Sequence, residues 1–105
     1  MDTVGEPFVL ADGRTIYVRS FTFDAYERLK KADAWGDLAS GDEDRFARGF
    51  RLILWEQVRR QFPGTPLEAV GELIEADQSP DFMAAINRLL EESRRKQQKG
   101  EAKSQ

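Results

Sequence analysis

The sequence predicts an α+β fold: an N-terminal β-hairpin followed by about four α-helices that together form a small, mainly helical domain. Three observations carry this reading. Two β-prone runs, Phe8-Val9-Leu10 and Thr15-Ile16-Tyr17-Val18-Arg19, flank the turn-forming pair Asp12-Gly13. From Phe46 onward the apolar residues recur at helical spacing. The pairs Pro63-Gly64, Thr65-Pro66 and Ser79-Pro80 then divide the second half of the chain into helix-sized pieces.

The hairpin register follows from the apolar pattern. A three-residue loop, Ala11-Asp12-Gly13 with Gly13 left-handed, puts Phe8, Leu10, Ile16 and Val18 on one face. A two-residue loop would oppose Phe8 to Tyr17 and divide that set. Two strands are marginal alone, so the apolar face must rest on helices or another sheet.

A first helix is expected from the cap Thr22, with Asp24 in its first turn, Phe21 and Tyr26 spaced as a hydrophobic staple, and Gly36 as its stop. The stretch Gly36 to Gly41 reads as a loop. Ser40-x-x-Glu43 has the form of a capping box, which would start the longest helix and run it to Phe62. Phe46, Phe50, Ile53, Leu54 and Val58 form one apolar arc on it, while Leu52 and Trp55 project from the far side. Either the helix is central and covered on two sides, or Leu52 and Trp55 form a protein-binding site, a surface that would also serve self-association. Thr65-Pro66-x-Glu68 reads as a capping box with proline in the first turn, opening a short helix to about Ala76. Ser79-Pro80-Asp81 opens the last helix, whose Phe82, Ile86, Leu89 and Leu90 share a face. Asp77-Gln78 leaves a tight connector, so these two helices are expected as near-antiparallel neighbours. Glu91 with Arg95 and Glu92 with Lys96 are helical i,i+4 pairs. Residues 1–95 thus read as one domain and residues 96–105 as a flexible charged tail.

Composition narrows the function classes. At 105 residues, 40% hydrophobic and 33% charged, the chain suits a single modest core, and its formal charge of −3 argues against nucleic acid as a partner. With no cysteine there is no disulfide or thiolate metal site, and with no histidine the commonest acid-base group and the usual zinc ligand are missing. No phosphate-binding glycine loop occurs. Asp42, Glu43 and Asp44 read as helix-start acids rather than ligands, Glu72 and Glu75 as a solvated face, and the run Arg94-Arg95-Lys96 with Lys99 and Lys103 as a solvated helix end. No catalytic, cofactor-binding or metal-ligating residue is assigned. The acidic first residues differ from a secretory leader, and the longest apolar run, Leu52 to Trp55, is too short to span a bilayer. A soluble cytoplasmic protein that works by protein-protein interaction is expected.

The strand pair Phe8-Val-Leu-Ala-Asp-Gly-Arg-Thr-Ile-Tyr-Val-Arg19, followed by Ser20-Phe21-Thr22-Phe23 entering a helix and then by small acidic-surfaced helices and a charged tail, resembles the tail assembly chaperones of long-tailed, siphovirus-like bacteriophages. The resemblance spans roughly residues 7 to 93 and rests on size, element order and patterning, so it carries over no site residue. It implies a non-enzymatic chaperone in the host cytoplasm that binds the tape measure protein and keeps it soluble while the tail tube assembles. It also implies a longer form, made by ribosomal frameshifting, that recruits tail tube protein. Other readings stay open: a virion structural or head-tail connector protein, or a small regulatory or nucleic-acid-associated protein.

Overall fold

The computed structural model describes residues 5–103, and side chains for residues 5–95. Strand β1 (Glu6–Val9) pairs antiparallel with β2 (Thr15–Val18), with Phe8 opposite Ile16 and Glu6 opposite Val18. The loop is the three-residue one. Leu10 N donates to Arg14 O at 2.7 Å, Gly13 N donates to Leu10 O at 3.0 Å, and Gly13 has φ +92°, a conformation that costs glycine little. Leu10, Ile16 and Val18 are buried and Phe8 half-buried, so the apolar set shares one face.

Six helical elements follow, grouped in a way that differs from expectation. Helix α1 (Phe23–Lys31) starts where predicted, with the Thr22 hydroxyl accepting from Ala25 N at 3.1 Å. Phe21, however, packs edge-on against Trp35, with ring centroids 5.9 Å apart, while Tyr26 is about half exposed. The chain then turns at Asp33, a residue type that tolerates the left-handed φ of 57° found there, and forms a separate short helix, α2 (Ala34–Ala39). Gly36 therefore lies inside a helix instead of ending one, and most of the expected loop is helical.

The long helix α3 (Glu43–Val58) is capped by Asp42, not Ser40: Asp42 Oδ1 accepts from Asp44 N at 2.9 Å and Arg45 N at 3.0 Å. Ser40 instead closes α2, its hydroxyl donating to Asp37 O at 2.8 Å. Beyond Val58 the chain continues as turns to Phe62. The second expected capping box is also not formed. Residues Leu67–Leu73 wind into a 3-10 helix that begins after extended Pro66 with no side-chain cap, and that packs on α3 rather than alongside the last helix. A further 3-10 turn, Ala76–Gln78, leads directly into α4 (Ser79–Lys103). Along α4, Phe82 and Ile86 are buried, Leu89 and Leu90 half-buried. Arg95 lies 3.8 Å from Glu91 as the i,i+4 spacing predicts; the Glu92–Lys96 pair falls outside the described side chains. The helical backbone runs to Lys103, well past the domain limit expected at residue 95.

The two strands would leave both edges open, but the rest of the chain closes them. On β2, Gln57 from α3 accepts from Arg19 N (3.0 Å) and donates to Arg19 O (2.8 Å), as a neighbouring strand would, and Gln61 accepts from Tyr17 N at 2.8 Å. On β1, Pro7 has no N–H to offer, Gln78 donates to Val9 O at 2.9 Å, and just beyond the strand Ala11 N donates to Leu73 O at 2.8 Å. This explains a fully buried glutamine, whose amide would be costly inside the core without partners. It also leaves little of the hairpin available for strand addition by another protein.

Candidate functional site

Leu52 and Trp55, the residues singled out as a binding face, do not stand in an exposed patch. Both are half-buried against the core, and the 3-10 helix Leu67–Leu73 lies on α3. The Trp55 indole donates to Thr65 O at 3.0 Å, and the Arg59 guanidinium lies 4.6 Å from the centre of its ring. The central-helix alternative describes α3 better, with its two apolar sides both covered.

Open apolar surface lies elsewhere. Trp35, Leu38 and Ala39 on α2, Phe46 in the first turns of α3, and Ser79, Pro80, Met83, Asn87 and Leu90 on α4 line a groove of about 570 Å³. It continues past Leu38 and Phe46 into a second hollow of about 420 Å³ that adds Gly41, Asp42 and Glu43. The α4 wall steps through Pro80, Met83, Asn87 and Leu90, one stripe of a helix, while Phe82 and Ile86 face inward. Phe46 is 37% exposed and is the ring most open to the groove among its lining aromatics. It stacks on Phe50 (5.9 Å), Phe50 meets Phe82 edge-on (5.5 Å), and Phe82 meets Phe8 of the hairpin (5.4 Å), so the floor is continuous with the core.

The α2 wall is held by polar contacts. Asp37 is buried; its carboxylate accepts from Arg45 Nε at 2.9 Å and from Arg48 Nε and Nη2 at 3.0 and 3.1 Å, and those hydrogen bonds, Arg48 first, hold its pKa down to about 2. Gly49 allows the helices to approach: a Cβ there would lie 2.6 Å from Ala34 O and 2.9 Å from Asp37 Cβ. The Trp35 indole N–H is buried without an acceptor, a cost carried at the groove wall. Buried Glu56 is the counterpart deeper in the molecule, bound by both arms of the Arg28 guanidinium at 2.8 and 2.9 Å. That pairing raises the Arg28 pKa.

No family model, curated protein or solved structure matches this chain.

The remaining sequence candidates are dispersed. Glu72 and Glu75 are exposed, and among the described residues no three carboxylates gather as a metal site would require. Asp42 is a helix cap, Glu43 lines the groove, and Asp44 is exposed beside them. Much of the positive charge is directed at carboxylates of the chain itself: Arg14 at Asp12, Arg28 at Glu56, Arg45 and Arg48 at Asp37, Arg88 at Glu6. No described helix is long and apolar enough to cross a membrane. The groove itself was not legible as a site. Phe46 has the spacing of a core residue, and most of α2, which supplies one wall, falls in the stretch Gly36 to Gly41 that reads as a loop.

Proposed function

We propose that this chain is a non-enzymatic binding protein that shelters apolar helical segments of a partner in the groove between α2 and α4. The observation that carries the reading is the groove: an apolar channel, walled by helices, with Phe46 at its floor open to solvent. Such channels take amphipathic helices, whose anchors at helical spacing fill them side chain by side chain. A volume near 570 Å³ suits a few large apolar side chains better than a single small anchor. Closure of the hairpin edges supports recognition by helix packing over strand addition.

Together with the resemblance of residues 7 to 93 to tail assembly chaperones of long-tailed phages, this gives a specific role. The client is the tape measure protein, whose helices are kept soluble in the host cytoplasm until tail tube protein encloses them, and a frameshift-extended form of the chain recruits the tube subunits. Co-expression with a tape measure segment tests the role. The parent chain should keep the segment soluble, and Phe46→Glu should release it to the pellet while circular dichroism shows an intact fold, because a carboxylate at the contact would be desolvated without a partner. A Phe46→Glu variant that solubilises the client as well as the parent does would move the binding face off the groove. Leu52→Glu is a separate control: it should destabilise the monomer, since Leu52 packs against the core.

A further inference from the structure

Resting on the groove reading above, we infer that the preferred occupant is an amphipathic helix that carries lysine or arginine beside the end of its apolar stripe, placed against the start of α3. The length of the groove favours a helix. From Ser79 to Leu90 the α4 wall spans about 16 Å at the helical rise, enough for anchors at i, i+4 and i+7 of a partner. Met83 in that wall is an adaptable surface that accepts varied apolar anchors.

The charge of the occupant follows from which acids are already used. Asp37, Glu56, Glu6 and Asp12 all hold arginines of the chain. At the Phe46 end of the groove the situation is reversed. Asp42 and Glu43 line the hollow with Asp44 adjacent, no lysine or arginine lines it, and among the described residues neither Glu43 nor Asp44 is held in an ion pair. With Asp42 engaged as the α3 cap and in the field of Arg48, the two charges of Glu43 and Asp44 still exceed the roughly half unit of positive charge that the N-terminus of α3 contributes. A basic residue arriving there gains pairs that cost the protein nothing already made, whereas an acidic one meets repulsion next to an apolar wall.

Two synthetic helical peptides test this, sharing one leucine stripe at i, i+4 and i+7 and differing only in whether lysines or glutamates flank its end. Fluorescence anisotropy should show the lysine peptide binding roughly three- to tenfold more tightly, the yield of one or two exposed ion pairs, and added salt should shrink the gap. The double variant Glu43→Lys, Asp44→Lys should abolish or invert the preference; Asp42 is left in place because it caps α3. Equal binding of both peptides, lost in Phe46→Glu, would overturn the charge inference and leave the groove reading standing. Binding of neither peptide would overturn both. A lysine preference that survives the double variant would assign the attraction to other acids and overturn the inference.

Discussion

Asp37 joins two neighbouring helices through one carboxylate. It is buried at the α2–α3 contact, and its pKa stands near 2, below the ordinary 3.8, because Arg48 and Arg45 donate to the charged form. The sign of the consequence is fixed: the unfolded chain takes up its proton first as pH falls, so this contribution to stability is complete above about pH 4 and is lost between 3.8 and 2. Urea midpoints measured across that window should therefore drop more steeply for the parent than for Asp37→Asn, which starts lower at neutral pH. Parallel curves would mean that the pair does not form in solution. Glu6, also lowered by its hydrogen bonds to Arg88, titrates in both proteins and cancels in the comparison. None of this was readable beforehand, because Asp37 lies in a Gly-Asp-Ser-containing stretch that reads as a loop, and its partners Arg45 and Arg48 become visible only once α2 has folded back on α3.

Local patterns located most helices but not their boundaries, and the reasons differ. The hairpin register was legible because a period of two allows only one loop length that keeps Phe8, Leu10, Ile16 and Val18 together. The inward arcs of α3 and α4 were legible for the same kind of reason. Helix α2 was not: at six residues it is too short to show a period, and it persists through tertiary contacts of Ala34, Trp35, Asp37 and Leu38. The Ser/Thr-x-x-Glu pattern twice pointed to a cap that is not formed, losing to Asp42 two residues later in one case and to extended Pro66 in the other. The caps therefore separate in a measurable way. Asp42→Ala should cost about 1 kcal/mol, since two amides lose an acceptor. Thr65→Ala should leave the melt nearly unchanged, because what Trp55 uses at that position is the backbone carbonyl. A Thr65→Ala loss equal to that of Asp42→Ala would show that the hydroxyl caps after all.

Helix α4 extends beyond the core it helps to build. Among the described side chains its last core-facing apolar residues are Leu89 and Leu90, while its backbone remains helical to Lys103. Removing residues 96–105 should lower the far-ultraviolet helix signal and leave the melting midpoint almost unchanged, because no core contact described up to Arg95 is cut. A marked fall in the midpoint would mean that those residues brace the body. The hairpin is tied to distant parts of the chain: Arg19 to Gln57, Val9 to Gln78, Phe8 to Phe82 and Glu6 to Arg88. During synthesis the strands leave the ribosome first, yet the groups that close their edges and cover their apolar face arrive only with α3 and α4. Until Phe82 has emerged, the nascent hairpin lacks its floor even though Gln57, Gln61 and Gln78 are already in place to flank it, so the N-terminal segment should reach its native state late, together with α4.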